Sequence, residues 1–299
     1  MRQSSAVAPG KIILSGEHAV VHGYPALAIA VDRYATAIIS SRPSSSIAIE
    51  KEPTNLIQYA LNAILEASSV SHLEEVDIAV QSDIPQGGGM GSSAAVILSV
   101  MKAIAHYVKK DFSMHDMLQL AQFIESKQHG VSSGLDVKAS LYGGCIFIRE
   151  ESVASRIFPS FDMGFVYTGT PLSTTKDCVS HVMSYFKDHN RGTAFANVTI
   201  AMEEAIKKND QKAIRECVRE NHQLLNAIGV VPEKVRRFIA DIEKIGGAAK
   251  ICGAGAVTGA SAGIVWLVCD RDSPWKEIAA DYAYEILPLK VESRGAYAN

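Results

Sequence analysis

Residues 84–95 read Ile-Pro-Gln-Gly-Gly-Gly-Met-Gly-Ser-Ser-Ala-Ala, placing four glycines and two serines between an extended apolar segment and a helical one. Glycines let a backbone approach an anion closely, and a helix N-terminus offers unpaired N–H groups and a favourable dipole. The chemistry this run supports is phosphate binding; the plainer reading is a loop that only turns the chain. It is not a Walker A loop, because no lysine follows Gly91. Nor is it a dinucleotide fingerprint, because Ser92 stands where the third glycine belongs.

Three further segments carry residues of the right types. Residues 8–26 place Lys11 at the start of a short apolar strand and Glu17-His18 in the loop that follows. A rigid strand can aim a lysine; taken singly, this is also a surface lysine beside a turn carboxylate. Residues 125–136 set Glu125 at a helix end and Asp136 beyond a Ser-Ser-Gly turn. Two carboxylates converging on a nucleotide can divide the work, one holding Mg²⁺ and one accepting a proton. Alone, each also reads as a solvated acid or a helix cap. Residues 246–256 form a second glycine-rich turn after a short strand, able to face the same phosphates or simply to join two strands.

The elements that must position these groups follow from patterning. Strands are predicted at 11–14, 26–30, 34–40, 46–50, 76–80, 145–148, 153–158, 249–252, 263–269 and 286–289. Helices are predicted at 55–67, 94–108, from 113 to about 127, over most of 174–245 with breaks near 190–192 and 229–232, and at 275–284. Ser92 or Ser93 is a candidate cap for the helix after the glycine loop, and Ser113 with Asp116 resembles a capping box. The pattern is mixed α+β rather than strict βαβ alternation, with two lobes dividing near residue 170.

Bulk properties narrow the function. The 299 residues, 47% hydrophobic and 20% charged, suit a globular protein with a sizeable core. A formal net charge of −3 advertises no basic surface, so neither nucleic acid nor an anionic membrane is an expected partner. Five cysteines are scattered without a CxxC, and nine histidines show no zinc spacing. With no apolar run of membrane-spanning length, the expected compartment is the cytoplasm.

Taken together, the four segments resemble the GHMP kinase superfamily: an N-terminal Pro-Gly-Lys, a central glycine-serine loop and a C-terminal Gly-Ala-Gly, in that order. Within it, residues 9–26 resemble the mevalonate kinase family almost letter for letter, Lys11 standing where galactokinases normally carry arginine. Residues 133–136 with 142–144, 168–174 and 221–229 are similar to that family too. The resemblance implies a ribosomal-protein-S5-like N-terminal domain over 1–170 and a ferredoxin-like C-terminal domain over 171–299, with ATP between them. It implies ATP- and Mg²⁺-dependent phosphorylation of the 5-hydroxyl of (R)-mevalonate, and a possible homodimer. Rival readings are another kinase of the superfamily, or a nucleotide-binding regulator without turnover.

Carried over by position, Asp136 matches the catalytic aspartate and Lys11 the lysine beside it. Glu17 and His18, with those two, match the acceptor pocket. Ser93 and Glu125 match metal ligands. Pro85, Gly87, Gly88, Gly89, Met90, Gly91, Ser92, Ser93, Ala94 and Ala95 would wrap the phosphates, and Gly253, Ala254 and Gly255 would close over them. A carboxylate is a far weaker base than an alkoxide, so Asp136 would orient the hydroxyl and take its proton late. The match departs at Gly87-Gly-Gly-Met90, where relatives usually carry Gly-Ala-Gly-Leu, and at residues 256–262, which lack the usual glycine run.

Overall fold

The computed structural model describes residues 2–41, 48–49, 55–70, 73, 76–129 and 133–299. Strand β1 (Gln3–Ser15) leads through a 3-10 turn (Ala19–His22) into β2 (Ala26–Ser41), and the two pair antiparallel along their length. Patterning predicts only the last third of β1, residues 11–14, because Pro9 and Gly10 interrupt it, and breaks β2 at Asp32-Arg33. A single register shift explains both: Pro9 faces Tyr34 while Gly10 faces Val31, leaving Asp32 and Arg33 as a bulge. A bulge tolerates a residue that cannot donate a ladder hydrogen bond.

Next come β3 (Ala48–Ile49), α1 (Leu56–Ala67), β4 (Val76–Ser82), α2 (Ser92–Tyr107), α3 (Met114–His129), α4 (Leu135–Tyr142), β5 (Cys145–Arg149) and β6 (Ser152–Arg156). Of the strand expected over 46–50, only Ala48–Ile49 falls within the described residues. The long β2 serves two partners on one edge, β5 along its start and β4 along its end. Helix α2 is apolar nearly all round, from Ala94 to Ala105, because it is buried between β1 and β2 on one side and α1 and α3 on the other. The Ser113–Asp116 capping box forms: the Asp116 amide donates to Ser113 Oγ at 3.1 Å, and the Ser113 amide donates back to Asp116 Oδ2 at 3.3 Å.

A second sheet is built from β7 (Met163–Tyr167), which patterning misses because a short, fully apolar strand carries no alternation. Helices α5 (Thr175–Val182), α6 (His189–Lys207), α7 (Gln211–Ala227) and α8 (Glu233–Lys244) precede β8 (Ala248–Cys252) and β9 (Ile264–Val268); α9 (Trp275–Asp281) precedes β10 (Glu285–Ile286). The order β10-β7-β9-β8 is antiparallel throughout. Strand alternation splits its faces. Ile251, Val265 and Leu267 meet the α8 stripe Val235, Phe238, Ile239 and Ile242. Ala248, Cys252, Ile264, Trp266 and Val268 face the other way, into the same core as Ile12, Ile29 and Leu98 of the first half. The tail then runs back to the first sheet: the Glu292 amide donates to the Ala30 carbonyl at 2.9 Å, and β11 (Tyr297–Ala298) pairs with β1. The fold class is α+β, as the sequence implies.

Candidate active site

Lys11 sits at the centre of the site. Alternation along β1 sends Ala6, Ala8, Ile12 and Leu14 into the main core, and Ile13 into a smaller cluster with Leu135 and Ala139 of α4. Lys11 shares parity with Ile13 and is only 2% exposed. Its Nζ donates to the Gly89 carbonyl at 2.8 Å and lies 3.0 Å from Asp136 Oδ1. One buried ammonium therefore joins the glycine loop to the aspartate. Asp136 belongs to the first turn of α4, a helix the sequence pattern leaves unassigned beyond a turn at 133–136, and a helix start is a favourable place for a carboxylate. The Ser140 hydroxyl, one turn on, donates to the Pro9 carbonyl at 2.6 Å and ties α4 to β1. A third of the Asp136 side chain remains exposed, so it can meet a second reactant.

The glycine loop folds tightly around Lys11. The Lys11 amide donates to the Met90 carbonyl at 2.9 Å. Gly91 has φ +70°, and a Cβ there would stand 2.9 Å from Lys11 Cγ; Gly89 has φ +81°, and its Cβ would stand 2.9 Å from the Cys252 carbonyl oxygen. Only glycine satisfies both demands at each position. Contrary to expectation, neither Ser92 nor Ser93 caps α2: Gly91 is the N-cap, with no side-chain hydrogen bond to the helix start. Serine at the first helical positions lies past the point from which it can reach the N2 and N3 amides. The end of α2 thus lacks the usual side-chain cap, an arrangement suited to an anion.

From the opposite side, Gly253 packs on Gly89. Residues 87–89 form one wall of a cavity of about 740 Å³, Cys252, Ala254 and Gly255 a second, and residues 170–176 a third. That third wall, with Thr170, Ser173 and Lys176, is absent from the site read from the sequence. Its legible signal is Thr174-x-x-Asp177, a capping box that the structure forms at the head of α5.

His18 reaches the same turn. Its Nε2–H donates to the Ala254 carbonyl at 3.0 Å, and burial pushes the imidazole down to about 4, so it is neutral near pH 7 with Nδ1 bare and unpaired. Glu17 lies beneath it, 1% exposed, with Oε1 on the Lys250 ammonium. It is enclosed rather than set on an open wall. Burial raises its carboxyl, against the pull of Lys250.

Glu125, 5% exposed on α3, and Ser93, on the first turn of α2, lie on helices that pack together. Among the described residues no three His, Cys, Asp or Glu side chains converge as a metal site. One carboxylate and one hydroxyl, with phosphate oxygens, would supply hard oxygens of the kind Mg²⁺ takes, so the chemistry of these residues fits that ion. The glycine cradle fits a polyphosphate.

Glycine loop, helix terminus, buried lysine and aspartate together define a small-molecule kinase of the GHMP class. Residues 55–144 match the family model for the GHMP kinases N terminal domain, and residues 202–262 that for the GHMP kinases C terminal. The mevalonate kinase of Archaeoglobus fulgidus is 31% identical over 263 residues, covering 84% of this chain and 88% of the relative. Among solved structures, the Methanococcus jannaschii mevalonate kinase aligns with TM-score 0.82 at 20% identity, covering 97% of this chain and 98% of its own. The Streptococcus pneumoniae phosphomevalonate kinase aligns with TM-score 0.82 at 19% identity, covering 97% and 100%. The chain belongs to the mevalonate kinase family. The equal scores of those two structures show that the fold alone does not choose an acceptor.

Proposed function

We propose that the protein transfers the γ-phosphoryl group of ATP to the 5-hydroxyl of (R)-mevalonate, giving 5-phosphomevalonate for isoprenoid synthesis. The observation that carries this is the Lys11 ammonium, held between the Gly89 carbonyl and Asp136 at 2.8 and 3.0 Å. Asp136 accepts a hydrogen bond from the acceptor hydroxyl, orients it in line and takes its proton late. Lys11 offsets charge developing between the hydroxyl oxygen and the phosphoryl group. Residues 85–95 cradle the phosphates with backbone amides, and Gly253, Ala254 and Gly255 face them from the second lobe. His18 bounds the acceptor side, and Glu17 supports it from below. Ser93 and Glu125 would hold Mg²⁺, which when bound neutralises phosphate charge. Family membership supports mevalonate as the acceptor.

We place the lobe division near residue 170, or slightly earlier, because the second sheet opens at Met163. Family resemblance supports a homodimer, which light scattering would test. No helix among the described residues is long and apolar enough to cross a membrane. An ADP-release assay offering mevalonate, phosphomevalonate, homoserine and galactose in parallel tests the substrate. Turnover of another acceptor without turnover of mevalonate would refute it. Asp136→Asn should lose about 10²- to 10⁴-fold in kcat while still binding ATP, and a near-normal rate would remove Asp136 from the chemistry.

A further inference from the structure

Lys250 has no part in the chemistry described above, yet it is the most deeply enclosed cation near the site. It lies mid-way along β8 between apolar neighbours and is 0% exposed. Its Nζ donates to Glu17 Oε1, to the Ile251 carbonyl at 2.7 Å and to the Ile13 carbonyl at 3.5 Å. Three N–H groups thus meet three acceptors, two of them on the segment that ends β1 and begins the acceptor-side turn. Burying a charged pair is costly, and apolar side chains of similar volume would hold the fold at least as well. Stability is therefore a weak reason for a lysine here.

The placement supplies a better one. Four residues beyond Lys250, the Ala254 carbonyl takes the His18 Nε2–H at 3.0 Å, so two adjacent acceptor-side residues are tied to one strand and the turn that follows it. That turn touches the phosphate loop, Gly253 on Gly89, and Gly89 is in turn bonded to Lys11. His18 itself has φ +60°, a conformation an L-residue keeps only when its surroundings hold it. His18 is tied to the Ala254 carbonyl, and its neighbour Glu17 to Lys250. On α7, Asn221 is fully buried with both amide atoms unpaired, and the next residue, His222, senses the Lys250 charge.

We propose that Lys250 is a positioning residue for phosphoryl transfer: through Glu17 it sets the acceptor-side turn of residues 16–18 in register with the glycine turn of residues 253–255. The proposal rests on the kinase reading above. It goes beyond that reading in giving Lys250 a role, and it departs from the acceptor-pocket place that the resemblance implies for Glu17, since the carboxylate is spent on Lys250.

Three variants test it. Lys250→Met alone leaves Glu17 buried and unpaired, so it should lower Tm sharply or fail to fold. Glu17→Gln/Lys250→Met removes both charges at similar volume and should recover most of the Tm. If the pair positions the turn, the double variant still loses about 10- to 100-fold in kcat/KM for mevalonate, the effect of a displacement of about 1 Å, while its affinity for ATP stays within about threefold. Glu17→Gln alone, whose amide oxygen still accepts from Lys250, should lose clearly less than the double variant. Recovery of kcat/KM together with Tm in the double variant would reduce the pair to a fold stabiliser and overturn the proposal. So would a loss in Glu17→Gln equal to that of the double variant, which would place Glu17 itself against the substrate. Wild-type enzyme in the same assay separates the two readings: its failure on mevalonate would fall on the substrate assignment and take the proposal with it. An active wild type beside an equally active double variant would count against Lys250 alone.

Discussion

At the scale of single residues, the site depends on polar groups held where water cannot reach them. Lys11 was legible because it opens an apolar strand within a distinctive motif, and Asp136 because it follows a Ser-Gly turn. That the two are neighbours is implied by the family resemblance and not by their spacing along the chain; the 3.0 Å approach itself depends on α4 packing across β1. Lys250 left a fainter trace: a lysine inside Ala-Ala-Lys-Ile-Cys is a cation with no route to solvent and so requires a buried anion. Burial also has a pH signature. His222 is pushed down from 6.5 to about 4, first by burial and then by the Lys250 charge, so it is neutral in the folded protein. The unfolded chain takes up that proton first on acidification, so the stabilisation is present above about pH 6.5 and is lost as pH falls towards 4. In urea unfolding, His222→Gln should lose about 2 kcal/mol less than the parent between pH 7 and pH 5. Parallel pH curves for the two proteins would show that His222 is not responsible.

At the scale of elements, loops and strand ends decide the geometry, and their conformations are enforced by close approach. Gly91 is the clearest case, being both the αL N-cap of α2 and the position past which the Lys11 stem runs. Gly91→Ala should push Lys11 away from Gly89 and Asp136. We expect a stability loss of about 1–3 kcal/mol from the backbone conformation alone, with kcat falling more steeply than the folded fraction. Thermal unfolding and steady-state kinetics on one preparation check this; unchanged kcat in a folded variant would mean the lysine tolerates the displacement. Helices with clear periodicity, such as α1 and α8, or with a capping box, such as α3, were readable from local sequence. Helix α4 was not, because eight residues with apolar side chains on several faces give no amphipathic signal.

At the scale of the whole molecule, the two sheets share a core, and the C-terminal tail closes the structure. After β10 the chain leaves the second sheet and lays residues 290–299 along the first: the Asp32 amide donates to the Lys290 carbonyl at 3.0 Å, and the Ala296 amide to the Ser140 carbonyl at 3.0 Å. Because Ser140 also holds Pro9, the tail braces the helix that carries Asp136. Deleting residues 290–299 should lower Tm by several degrees, since loss of even about 1–2 kcal/mol moves a domain of this size by that much. It should also promote self-association through the uncovered β1 edge. A truncated protein with unchanged Tm and a monodisperse elution profile would contradict both expectations.

The sequence by itself determined the fold class, the family and the chemically competent residues, because glycine runs, capping signals and motif order are local properties of the chain. Only the tertiary structure decided which of those residues meet. The Glu17–Lys250 anchor and the cavity wall from residues 170–176 join positions up to 233 residues apart, and the Lys11–Asp136 pairing that the resemblance implies takes its 3.0 Å from the same packing. Such contacts are set by the packing of one shared core, and no spacing along the chain encodes them. The same packing turned Glu17 from an expected pocket residue into a buried support, since a carboxylate enclosed beside an ammonium satisfies its charge there.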